Sequence, residues 1–101
     1  MRMKYFSFKA AGTVQGVNFR RWTQKTAESR NITGWIRNHN AGHVEGEAFG
    51  DSQSMNDFKV LLKSGPRYAE VTEVTIDNEK EVATAEEIQW NMSRFEVKKD
   101  A

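Results

Sequence analysis

Between Lys4 and Ala11 the chain alternates, with Phe6, Phe8 and Ala10 on one side and Tyr5, Ser7 and Lys9 on the other. A two-residue period marks a strand with one buried face, so a first strand is expected over 4–11. Beyond Gly12 and Gly16 the period changes. Phe19, Trp22, Thr26 and Ala27 recur at helical spacing while Arg21, Lys25, Glu28 and Arg30 fall largely elsewhere, which predicts a helix from Phe19 to Arg30 closed by Asn31 in the left-handed conformation.

Thr33 to His39 reads as a second strand and His43 to Phe49, alternating around Val44, as a third. Asn40-Ala41-Gly42 between them has the chemistry of a hairpin turn. Ser52 or Ser54 can cap a second helix, whose Met55, Phe58, Leu61 and Leu62 form an apolar stripe that Gly65-Pro66 ends. Val71, Val74 and Ile76 read as a fourth strand, the polar run Asp77 to Glu87 as a connecting loop, and Arg94 to Lys98 as a last strand carrying Phe95 and Val97. The order βαββαβ predicts an α+β fold, a two-layer α/β sandwich with an antiparallel sheet and two helices on one face.

Length and composition narrow the chemistry. A chain of 101 residues makes one small domain, residues 1–101, with a single core. Its net charge of +1 provides no basic field for nucleic acid. Cysteine is absent, which removes disulfides, thiolate nucleophiles and zinc–thiolate sites together. Arg2, Lys4 and Lys9 interrupt the apolar residues of the N-terminus, so no signal peptide or membrane span is read there and a soluble, cytoplasmic protein is expected.

The segment Gly12-Thr13-Val14-Gln15-Gly16-Val17-Asn18-Phe19-Arg20 joins the first strand to the first helix. Two glycines allow a tight turn, and the helix start adds unpaired N–H donors and a partial positive charge. Arg20 adds a full charge and a planar donor fork suited to phosphate oxygens. By itself the segment fits either an anion site or a plain strand–helix connection with a surface arginine; it lacks the GxxxxGK[ST] phosphate loop of nucleotide hydrolases. Asn38, at the end of the second strand, is read either as a turn residue or as an amide that orients a water. Arg21 follows Arg20, but consecutive helical residues point about 100° apart, so the two are not expected to share one anion. His39, His43 and Glu45 are read as hairpin residues and no metal site is expected.

Taken together, Gly12-x-Val14-Gln15-Gly16-Val17-x-Phe19-Arg20 and Gly34-Trp35-Ile36-Arg37-Asn38, followed by Gly42-x-Val44-Glu45 and Gly50, resemble the two signatures of the acylphosphatase family. Ala27, Gly65-Pro66, Ala69, Val71 and Phe95 extend the resemblance over nearly the whole chain. The resemblance implies a ferredoxin-like sandwich and hydrolysis of acyl phosphates to a carboxylate and inorganic phosphate, without metal or cofactor. Matched residue by residue, it implies that Arg20 and the backbone N–H groups of Gln15, Gly16, Val17, Asn18, Phe19 and Arg20 bind the phosphoryl group and that Asn38 orients the attacking water. The partners so implied are a small acyl phosphate and inorganic phosphate as product or competitive inhibitor, with no nucleic acid or membrane, and the protein a monomer. Asn31, where the family often has glycine, the Asn40-Ala41-Gly42 turn and Asn18 depart from the usual pattern; they bear on stability and specificity.

The inventory suits that reaction. A carboxylate leaving group has a conjugate acid of pKa roughly 4 and needs no proton to depart. Positioning and charge stabilisation are what phosphoryl transfer then asks of the protein. The competing readings are a non-catalytic phosphate binder and an RNA-recognition module of the same element order, but His43 to Phe49 carries two glutamates and lacks the RNP1 pattern.

Overall fold

The computed structural model describes residues 2–101. Strand β1 (Met3–Thr13) leads into helix α1 (Phe19–Glu28), and β2 (Thr33–Asn38) and β3 (Val44–Asp51) form the hairpin. Helix α2 (Ser52–Ser64), β4 (Glu70–Val82), a 3₁₀ turn (Ala85–Ile88) and β5 (Phe95–Val97) complete the chain. The sheet has five strands in the order β4-β1-β3-β2-β5. β3 lies antiparallel between β1 and β2, and β4 pairs antiparallel with β1. This is the expected ferredoxin-like α+β sandwich, with one correction: β5 runs parallel to β2, Gly34 opposite Phe95 and Ile36 opposite Val97, so the sheet is mixed.

The alternation of β1 places Phe6, Phe8 and Ala10 in the core, where Ile36, Ala48, Met55, Phe58, Leu62 and Phe95 meet them. Phe58 of α2 anchors this layer, with ring centroids 6.4 Å from Phe6, 6.0 Å from Phe8 and 6.2 Å from Phe95. Helix α1 buries Phe19, Thr23 and Ala27, a stripe at four-residue spacing. Thr23 was not part of the apolar pattern; its hydroxyl donates to the Phe19 carbonyl at 2.8 Å, which lets a polar side chain sit in the core.

Helix α1 stops at Glu28, before the expected Arg30, but by the expected device. Asn31 takes φ 58°, the Asn31 N–H donates to the Glu28 carbonyl at 3.1 Å and the Ile32 N–H to the Ala27 carbonyl at 2.9 Å, the paired bonds of a Schellman cap. The cap of α2 differs from expectation. Neither Ser52 nor Ser54 supplies it: Asp51 does, its Oδ1 accepting from the Ser54 N–H at 3.1 Å and its Oδ2 from the Ser54 hydroxyl at 2.7 Å. The strand runs straight into the helix, so its last residue doubles as the cap.

The run Asp77 to Glu87 is corrected more substantially, because β4 continues through it to Val82. Its charges misled the pattern. β4 is an edge strand, and edge strands carry charged side chains that discourage pairing with other chains. Glu79 bonds Lys4 at 2.8 Å and Lys59 at 2.6 Å, and these cations hold its carboxyl below the ordinary carboxylate range. Asn78, at φ 56°, sits where the register shifts between Tyr5 and Ser7, a bulge that absorbs an extra residue. Among the described residues no helix is long and apolar enough to cross a membrane.

The Ser54 hydroxyl and N–H together hold the Asp51 carboxyl below its ordinary value of 3.8, against the smaller opposing effect of burial. A depressed carboxylate contributes stability above its unfolded pKa and loses it as the pH falls through the folded value. Asp51→Ala is therefore expected to lower stability by about 1 kcal/mol near neutrality. In urea titrations the gap from the parent protein should close as the pH drops below about 4; a gap unchanged in acid would refute the charged cap.

Candidate active site

The connection from β1 to α1 is anchored at both ends, since Val14 and Phe19 are both buried at 1% exposure. Between them the backbone takes left-handed φ at Gly16 (76°) and Asn18 (67°). An added Cβ on Gly16 would meet nothing, so glycine is required there for its backbone and not for space. Gly12 is different: its φ is 120°, and a Cβ would stand 2.1 Å from the Glu70 carbonyl oxygen on β4. Asparagine is the non-glycine residue best suited to the left-handed region, which accounts for Asn18 at the mouth of the helix.

Asn18 occupies the cap position of α1 without a side-chain capping bond, and the first turn has no acidic residue. The protein thus leaves the helix's leading N–H donors and its partial positive charge unanswered. Arg20, one residue into the helix, points its guanidinium at the C-terminal tail, where Nη1 lies 3.1 Å from Asp100 Oδ1. A cavity of about 460 Å³ opens here, lined by Gly16, Asn18, Phe19, Arg20 and Arg21 with Val97 of β5. A larger hollow of about 700 Å³ lies on the opposite face of the sheet, around Glu47 and Trp90. There Glu47 is already occupied, accepting from the Tyr5 hydroxyl and from Trp35 Nε1 at 2.8 Å.

Asn38 ends β2 on the helix-facing side and is 8% exposed. Its Oδ1 is buried and has no hydrogen-bond partner among the described residues, an arrangement that costs about 1–3 kcal/mol and calls for an explanation. The Asn38 carbonyl accepts from the Ala101 N–H at 2.9 Å, so the tail that pairs with Arg20 is also fastened beside Asn38.

The expected phosphate-binding residues divide. Gly16, Asn18, Phe19 and Arg20 line the cavity, whereas Gln15 and Val17 do not, and neither does Asn38, the residue expected to orient the water. Val17 packs against the core. The Gln15 carboxamide donates to the His39 carbonyl at 2.8 Å and to the His43 carbonyl at 3.0 Å, tying the loop to the β2–β3 hairpin. Asp100 and Val97 had no sequence signal; parallel pairing on β2 brings them to the site.

His39, His43 and Glu45 bring their donor atoms within 4.8 Å of one another, the spacing of a metal site. His43 Nε2 is buried without a hydrogen-bond partner among the described residues, while the other two groups are already engaged. His39 Nδ1 accepts from the Ala41 N–H at 3.0 Å, so the lone pair on that nitrogen is taken. The two rings stack at 4.5 Å and 12°, so they cannot both aim in-plane at one ion. Glu45 Oε2 is held at 2.7 Å by both Arg37 Nε and Nη2. Burial would raise the Glu45 carboxyl, but this bond and charge, with the histidines, hold it below the ordinary range.

The acylphosphatase family model matches residues 6–96. The chain belongs to the acylphosphatase family. An acylphosphatase of Syntrophotalea carbinolica is 40% identical over 90 residues, 89% of this chain and 90% of the relative. The crystal structure of acylphosphatase from Bacillus subtilis superposes with a TM-score of 0.78 at 29% identity, covering 95% of this chain and 98% of that one. An acylphosphatase structure from Coxiella burnetii gives 0.79 at 32% identity, covering 95% and 93%. The acylphosphatase match spans both the β1–α1 connection and Asn38 but ends before Val97 and Asp100.

Because its carboxamide holds the hairpin and not the cavity, Gln15→Ala is expected to speed amide exchange at His39 and Gly42 and to lower stability by about 1–2 kcal/mol, two ordinary hydrogen bonds. Unchanged exchange at both amides would show that the tie carries no strain.

Proposed function

We propose that this chain hydrolyses the carboxyl–phosphate bond of small acyl phosphates, with Arg20 and the N–H groups of the β1–α1 connection binding the phosphoryl group and Asn38 orienting the water. The observation that carries the reading is the uncapped start of α1, with Arg20 in its first turn facing a cavity. An anion there meets backbone donors, the helix's partial charge and a guanidinium at once. Arg20 must first exchange Asp100. Both side chains of that pair are partly exposed, and such pairs are worth about 0.2–1 kcal/mol, little against a doubly charged phosphoryl group.

The unpartnered Asn38 Oδ1 is the acceptor a water proton would use. Water attacks phosphorus, the bond to the acyl oxygen breaks, the carboxylate departs unprotonated, and the water's protons stay on the phosphate. No general acid or base is needed, and the charge gathered on the equatorial oxygens is met by donors already in place. In this reading the protein is a monomer that acts on a small acyl phosphate in the cytoplasm. Binding to RNA finds no support, since β3 directs Glu45 and Glu47 to the face such modules use.

Hydrolysis of benzoyl phosphate by the purified protein with a chelator present tests the reaction. No turnover above the spontaneous rate would leave a phosphate binder without catalysis; turnover lost only with chelator would overturn the metal-free chemistry. Arg20→Gln is expected to weaken competitive inhibition by inorganic phosphate and to reduce turnover on the order of a hundred- to thousandfold. Asn38→Ala should suppress turnover while phosphate inhibition stays near that of the parent. Loss of phosphate binding in a folded Asn38→Ala protein would contradict the division of roles.

A further inference from the structure

Arg20 and Arg21 both line the cavity at the mouth of α1, although consecutive helical residues point about 100° apart. Gln24 resolves the geometry. It follows Arg20 by four residues and Arg21 by three, so it lies between them on the helix surface one turn on, and it lines the same cavity. Its Nε2 donates to the Phe95 carbonyl at 3.0 Å, which fixes this wall against β5. Arg20 and Arg21 therefore border one depression with Gln24 between them.

Their partners differ. Arg20 meets Asp100, whereas among the described residues Arg21 makes no ion pair and no side-chain hydrogen bond, and no acidic side chain lines the cavity. At about 460 Å³ the cavity falls within the range of small-ligand sites, about 300–1,000 Å³. An acyl phosphate held by Arg20 would place its acyl group in a cavity that Arg21, a cation without an ion pair among the described residues, also lines.

Resting on the reaction proposed above, we infer that the preferred substrates are acyl phosphates whose acyl group carries a second anionic group, a carboxylate several bonds from phosphorus, and that Arg21 binds it. Arg21 is then a specificity-determining residue and takes no part in the bond-breaking step. The interaction lies at a solvent-open site, so added salt screens it.

The test compares 4-carboxybenzoyl phosphate with 4-methylbenzoyl phosphate, close in shape and unable to attack their own carbonyl through the ring. The parent protein is expected to favour the carboxylated compound about tenfold in kcat/KM at low ionic strength, equivalent to about 1.4 kcal/mol, with the preference shrinking as sodium chloride is added. Arg21→Gln should abolish the preference while 4-methylbenzoyl phosphate turnover stays within about twofold, and Arg21→Lys should retain part of it. Equal kcat/KM for both compounds in the parent protein, or a loss in Arg21→Gln that falls equally on both, would overturn this inference and leave the hydrolytic reading standing. No hydrolysis of either compound would remove both.

Discussion

The position of β3 between β1 and β2 is the constraint from which the site follows. Both neighbours run antiparallel to β3, so they run parallel to each other and finish at the same end of the sheet. Thr13 and Asn38, far apart in the chain, are the last residues of those strands. Helix α1 must then start at that end in order to return along the sheet, which puts an uncapped helix N-terminus beside the β2–β3 turn. The Gln15 carboxamide secures the juxtaposition by bonding two carbonyls of the turn.

Energetically the site is built from groups left deliberately underused. The helix start has no capping side chain and no acidic first turn, Asn38 has a buried oxygen without a partner, and Arg20 has only a partly exposed carboxylate opposite it. Each is a small cost carried by a core in which Phe6, Phe8, Phe58 and Phe95 interlock. Donors fixed by packing need not reorganise as charge develops, which is where preorganised sites obtain their advantage over water. The left-handed Gly16 and Asn18 serve the same end by shaping the loop independently of any ligand.

Much of this was legible in the chain, for identifiable reasons. A two-residue period identified β1 and its buried face, and the Asn31 and Gly65-Pro66 signals stopped both helices close to where they stop. Where periodicity failed, the cause was physical. Past Ile76, β4 continues as an edge strand of charged and polar side chains up to Val82, so its pairing with β1 there is carried by backbone and leaves little hydrophobic trace. The cap of α2 falls on Asp51, ahead of both Ser52 and Ser54, because Asp51 ends β3 and begins the helix at once.

The amino-acid sequence by itself determined the element types, the left-handed turn positions and the two segments that carry Arg20 and Asn38, since all of these depend on residues near one another in the chain. Tertiary structure alone decided what those residues face. The parallel pairing of β5 with β2 delivers Val97 and Asp100 to Arg20, and the hairpin engages the Gln15 side chain. Gln24, fixed against β5, leaves Arg20 and Arg21 on one cavity. Such contacts join residues separated by dozens of positions, and local periodicity carries no information about them.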